Sequence, residues 1–190
     1  DKEATYLVKT LEEEFEKIWV VHRIDKVTSG IIIFALTAEA HRSLNIQFEK
    51  HQVEKIYHAI LNGVPKWDEK TTKFPLRVNV GHKHRTMVDD KNGVRSETRF
   101  KILKRYHSSA LVEAMPMTGR THQIRVHAYA LGYPLLGDIL YSAPETNLIP
   151  RPALHAYSLK FTHPETNEAM SFQAEYPSDF KTAVKLLREK

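Results

Sequence analysis

An α+β fold, a mixed and mainly antiparallel β-sheet with flanking helices, is what the 190-residue sequence predicts. Three observations carry it: apolar residues at helical spacing confined to short blocks, β-branched or alternating stretches between those blocks, and the turn pairs Asn62-Gly63 and Asn92-Gly93. Leu7, Leu11, Phe15 and Ile18 predict an amphipathic helix over 3–18, with Glu12, Glu13, Glu14 and Glu16 on its solvated face. Residues 19–22 and 31–36 read as short apolar strands flanking a polar loop, 23–30. Thr37 is placed to cap a helix with Ala40, Leu44 and Phe48 on one face, and 55–61 predicts the next strand. From Phe74 onward hairpins are expected, with Thr98, Phe100 and Ile102 alternating against Glu97, Arg99 and Lys101.

Thr121 is expected to open a helix with Ile124, Ala128 and Leu131 inward and with His122, Arg125 and Tyr129 on a second, polar face. Gly132 and Pro134 would stop it. Residues 142–153, with Pro144, Pro150 and Pro152, predict a surface loop, and 155–161 with 169–174 a hairpin about His163-Pro164. Ser178 is expected to cap a last helix that turns Phe180, Ala183, Val184 and Leu187 inward. No repeat or low-complexity linker divides the chain, so a single domain over 1–190 is expected.

Composition narrows the chemistry. With 42% hydrophobic and 27% charged residues the chain is neither disordered nor fibrous. Apolar runs such as 31–36 fall far short of the roughly 20 residues of a membrane helix. No signal-peptide pattern opens the chain, so a cytoplasmic protein without a membrane partner is expected. The absence of cysteine excludes disulfides, a thiol nucleophile and cysteine-ligated zinc. The net charge of +5 permits a polyanionic partner, and the charges are unevenly spread. Arg77, Lys83, Arg85, Lys91 and Arg95 crowd the middle of the chain, with His82 and His84, against only Asp89 and Asp90.

Two segments can carry chemistry. In His22-Arg23-Ile24-Asp25-Lys26-Val27-Thr28-Ser29-Gly30 a carboxylate stands among two cations and two hydroxyls, just before an apolar strand. Asp25 is either a turn aspartate that bonds local N–H groups, or a nucleophile or base kept ionised by its cationic neighbours. In Thr118-Gly119-Arg120-Thr121-His122-Gln123-Ile124-Arg125-Val126-His127 a glycine precedes a helix N-terminus, which favours anions, and two arginines lie beside it. His122 and His127 are spaced poorly for a helical metal pair, and no metal site is expected.

Together with Lys55-Ile56-Tyr57-His58-Ala59, Gly63 and the run Gly132-Tyr133-Pro134-Leu135-Leu136-Gly137-Asp138, these segments resemble the RluA-type pseudouridine synthases. The motifs stand in the family's order and span roughly residues 20–175, including Leu154-His155-Ala156. The resemblance implies isomerisation of specific uridines in structured RNA, ribosomal or transfer RNA, with neither cofactor nor metal. It implies Asp25 as the catalytic aspartate, Tyr57 as the ring that stacks on the flipped uracil, and Arg125, rather than Arg120, as the basic partner of Asp25; removal of the C5 proton by Tyr57 is a further hypothesis beside stacking. It implies Arg23 as the side chain that fills the vacated place in the RNA stack and Leu136 as an apolar wall of the base pocket. Lys55, Arg120, His122, Lys83 and Arg85 are the further residues expected to meet RNA. Many members begin with a Lys-Pro-x-Gly type segment and a small RNA-binding domain, so this chain is expected to be a catalytic domain, monomeric, without that strand and domain. The rival readings are a non-catalytic RNA-binding relative or RNA chaperone of the same fold, and a hydrolase using Asp138 as its second carboxylate.

Overall fold

Alternation along the central strands dictates the layering. In the computed structural model, which describes residues 4–81 and 85–189, β4 (Glu54–Asn62) and β9 (Ser109–Pro116) pair antiparallel at the middle of the main sheet. Ala59, Leu61, Ala110, Val112 and Ala114 point to one face, where they pack with Ile124 and Ala128 of α3 (Gln123–Ala130). Ile60 and Leu111 point to the other face and meet Phe180, Ala183, Val184 and Leu187 of α4 (Ser178–Arg188). A sheet with helices on both faces buries two cores, and the period of two assigns each residue to one of them.

Outward from β4 lie β10 (Leu154–Thr162) and then β11 (Ala169–Gln173); outward from β9 lie β8 (Thr98–Arg105) and the edge strand β5 (Glu69–Thr72). All these pairings are antiparallel. One parallel pairing makes the sheet mixed: β2 (Ser29–Gly30) runs alongside His155 and Ala156 of β10. Two small ribbons stand apart, β1 (Trp19–Val20) with β3 (Phe34–Ala35), and β6 (Leu76–Val80) with β7 (Arg85–Val88). The predicted α+β class and its mainly antiparallel sheet are what the chain adopts.

Local signals hold where short-range chemistry decides. Thr37 caps α2 (Ala38–Glu49) by accepting from the Ala40 N–H, and the hairpin about His163-Pro164 forms. The first helix, α1 (Ala4–Glu14), stops short of the expected 3–18, because Glu12, Glu13 and Glu14 oppose the dipole at its C-terminal end. The strands expected at 19–22 and 31–36 shrink to the two-residue pair β1 and β3, since the His22 side chain, not a facing strand, accepts the Ile33 N–H. Residue 121 does not open α3: His122 is its cap position, in the left-handed region at φ 55° and without a side-chain cap bond, while the Gln123 carboxamide folds back to accept the Arg120 N–H ahead of the helix. Ser178 is the first residue of α4 and Pro177 precedes it as the cap position. The segment 142–153 is not simply surface, because Ile149 and Ala153 are buried in the α4 core, Pro152 is buried too, and Ala153 shares backbone bonds with Leu136 and Ile60. No helix among the described residues is long and apolar enough to cross a membrane.

Candidate active site

The polar loop after β1 is tied down at its far end, and that tie aims Asp25. The Asp25 carbonyl accepts the Thr28 N–H, closing a tight turn, and Ile31 then donates to the Ala156 carbonyl. Gly30 sits between them at φ 109°, and a Cβ there would run into the Ala156 carbonyl, so only glycine lets β2 lie this close to β10. Asp25 is thereby held, largely buried, over the N-terminus of α3.

From α3, Arg125 reaches Asp25 with one nitrogen only. Its Nε and Nη2 bind Asp138 at 2.7 and 2.8 Å, and Nη1 faces the Asp25 carboxylate at 3.8 Å. Asp138 is fully buried and both its oxygens are taken by Arg125, so it is the carboxylate that orients the arginine, not a second acid open to substrate as the hydrolase reading requires. His122 brings Nε2 to 4.0 Å from Asp25 on another side. The expected polar face of α3 converges on one ring: Tyr141 lies under the Arg125 guanidinium at 5.1 Å, and its hydroxyl bonds His122 Nδ1 at 2.9 Å. That hydroxyl also donates to the Thr86 carbonyl and accepts the Thr86 N–H, joining the site to the β6–β7 ribbon.

Two adjoining cavities meet at Asp25. The first, about 430 Å³, is floored by Tyr57, Ile124 and Leu154 and rimmed by Arg23, Lys55, Arg120 and His122. The second, about 470 Å³, runs past Arg125 and Asp138 to Arg151. Tyr57 reaches the first cavity because it shares the parity of Ala59 and Leu61 on β4, and it packs against their cluster. Burial, reinforced by the Asp25 charge, pushes its phenol up to about 12, so a neutral ring faces the cavity. Burial lowers the Lys55 ammonium, and it holds His22 down to about 4 with help from the Lys55 charge, which suits an imidazole accepting the Ile33 N–H.

The sequence-predicted residues therefore divide. Asp25, Tyr57, Arg125, Arg23, Lys55, Arg120 and His122 come together around the two cavities. Leu136 does not: Leu135 lies in the α3 core and Leu136, one residue on, lies in the α4 core with Ile60 and Phe180, so alternation turns it away from the base pocket. Leu154 and Ile124 supply the apolar wall instead. Arg85 is exposed on β7 and lines neither cavity, and Lys83, with His82 and His84, lies outside the described residues. Sequence reasoning missed Tyr141, Arg151 and Gln123. Buried Gln123 accepts from Thr118 and the Arg120 N–H and donates to Glu97 and Thr98, fixing the loop that rims the first cavity. Gln123 stands inside the 118–127 motif, and Tyr141 and Arg151 carry no local sequence signal that marks them.

Known proteins of similar sequence and fold identify the family. The family model described as RNA pseudouridylate synthase matches residues 1–130. The dual-specificity RNA pseudouridine synthase RluA of Haemophilus influenzae is 41% identical over 172 residues, covering 90% of this chain and 78% of that protein. The ribosomal large subunit pseudouridine synthase D of Neisseria meningitidis serogroup A is 38% identical over 184 residues, 89% of this chain but 48% of the relative, so the chain spans about half the length of that protein. Among solved structures, human RNA pseudouridylate synthase domain containing 1 superposes with a TM-score of 0.80 at 27% identity, covering 97% of this chain and 85% of that one.

Proposed function

This chain belongs to the RNA pseudouridylate synthase family, whose reaction turns uridine in RNA into pseudouridine, and we propose that it acts on structured ribosomal or transfer RNA through Asp25, Tyr57 and Arg125. The observation that carries the residue assignment is the placement of the Asp25 carboxylate at the junction of two cavities, 3.8 Å from a guanidinium nitrogen that Asp138 holds in place. The reaction breaks the bond from N1 to C1′, turns the uracil, forms the bond from C5 to C1′ and exchanges the C5 proton for one taken up at N1. No atom other than a proton leaves, which suits a site furnished with one carboxylate, fixed cations and an aromatic face.

A uridine in a helix must first be flipped out, at a cost of a few kcal/mol. Arg23, exposed at the rim of both cavities, is placed to occupy the gap left in the stack. Arg120, His122 and Lys55 line the path by which an anionic backbone would approach, and the helix N-terminus beneath them adds a favourable field. Tyr57 offers its ring to the uracil, with Leu154 and Ile124 as the apolar wall. Asp25 then acts on the loosened nucleoside, while Arg125 stabilises the carboxylate and whatever negative charge develops beside it. The phenol, pushed up to about 12, serves by stacking in preference to acting as a free phenolate base at C5.

Tritium release from RNA labelled at C5 of uridine tests this directly. Asp25→Ala is expected to abolish release while leaving RNA affinity within a few-fold, about 1 kcal/mol or less. Release at an unchanged rate from Asp25→Ala would remove Asp25 from the reaction. RNA binding by the unaltered chain with no release from any RNA would favour a binding protein of the same fold.

A further inference from the structure

The most heavily bonded side chain near Asp25 is one the family reading assigns nothing to do. Arg151 leaves the segment before β10, and its guanidinium makes contacts in three directions. Nε and Nη2 bind the two oxygens of Asp179, in the first turn of α4, at 2.7 and 3.0 Å. Nη1 donates to the Val27 carbonyl at 3.0 Å and to the Leu154 carbonyl at 3.2 Å. Nη2 also donates to the Ser29 hydroxyl at 3.1 Å. Val27 and Ser29 belong to the Asp25 turn and its exit; Leu154 is a wall of the first cavity.

The proton positions follow from the partners. The Ala174 carbonyl can only accept, so His155 Nε2 carries a hydrogen towards it at 3.2 Å. Buried His155 is held neutral, which leaves Nδ1 as an acceptor for the Ser29 hydroxyl at 2.9 Å. The Ser29 oxygen is then free to accept from Arg151. Every group in the chain from Asp179 through Arg151 and Ser29 to His155 has a defined role, and only a planar fork with five N–H groups can serve all its partners at once.

We propose that Arg151, held by Asp179, is a positioning residue for the reaction: it straps the Asp25 turn to β10 and α4 and so sets the carboxylate against Arg125. The C-terminal helix is on this reading part of the catalytic apparatus, through an ion pair whose partners are 28 residues apart in sequence. The inference rests on the assignment of Asp25 as the reacting carboxylate. It predicts an effect on the chemical step with none on RNA binding, because the guanidinium hydrogens point at protein groups and not into solvent.

The test is single-turnover tritium release at saturating RNA, alongside RNA affinity and thermal melting, for Arg151→Lys, Ser29→Ala and their double variant, with Asp25→Ala in parallel. Arg151→Lys is expected to slow release roughly 10- to 100-fold with RNA affinity unchanged, the scale of a misplaced reacting group. Ser29→Ala keeps the Arg151–Asp179 pair and should slow release less, and the double variant should be no slower than Arg151→Lys, since both act through one strap. A folded Arg151→Lys protein that releases tritium at the unaltered rate would overturn the proposal, and so would equal losses in rate and RNA affinity, which would make Arg151 an RNA contact. Should Arg151→Lys fail to fold, Ser29→Ala decides alone: an unchanged rate overturns the strap. Release surviving in Asp25→Ala would instead overturn the assignment on which the strap rests.

Discussion

Arg125 has three nitrogens to place, and its partner decides which of them faces Asp25. Asp138 takes two in a bidentate grip inside a fully buried site, and what remains is a single N–H edge turned to Asp25. Asp138→Asn would keep the shape but offer an amide where the second carboxylate oxygen was, leaving a buried guanidinium short of an acceptor and of compensating charge. A loss of about 3 kcal/mol is expected in urea unfolding, since breaking one side of a buried pair costs about 3–5 kcal/mol, and tritium release should fall with it. An unchanged midpoint and rate would show that Asp138 neither supports nor orients Arg125. Asp25 and Arg125 were legible at this scale because their residue types and motif neighbours announce them, whereas Asp138 could be read equally well as an acid for a different reaction.

At the scale of elements, β2 is only two residues long, yet the position of the Asp25 carboxylate depends on it. Its parallel pairing with β10 requires Gly30, which combines φ of 109° with a direct approach to the Ala156 backbone. Gly30→Ala should therefore cost more than the roughly 1 kcal/mol of left-handed strain alone, because the added methyl must push β10 away. A lowered melting temperature together with lost tritium release is expected; a folded, fully active Gly30→Ala protein would contradict the pairing. The helices with one wet face, α2 and α4 among them, showed their periods in the sequence. β9 did not, because helices cover both faces of the sheet there, and Ser109–Val112 are buried in succession with no alternation to read.

For the whole molecule, histidines buried in a neutral state make stability depend on pH. Burial brings His22 down to about 4, with Lys55 adding to it, and burial brings His58 to about 4, with His155 adding to it. His58 is further held by Tyr176, whose hydroxyl lies 2.5 Å from Nδ1, and by the stacked ring of Tyr157. In the unfolded chain both would titrate near about 6.5, so between roughly pH 6.5 and 4 the unfolded state binds more protons. Their contribution is complete above about pH 6.5 and is lost as pH falls towards 4. Urea midpoints should accordingly drop between about pH 7.5 and about pH 5, and His58→Phe should flatten that drop; a midpoint that rose on acidification would contradict the buried neutral state.

By itself the sequence determined the α+β class, the family through motifs in a fixed order, and the identity of the aspartate, tyrosine and arginine that meet at the cavities. Those are local properties, carried by neighbours a few residues away and by hydrophobic period. Only the tertiary structure decided that Leu154, not Leu136, walls the pocket, that Asp138 serves Arg125, and that Arg151 binds Val27 and Ser29 from more than 120 residues away. Such pairings depend on strand order and on which face each residue shows after the sheet closes, and a one-residue difference in parity exchanges one core for the other.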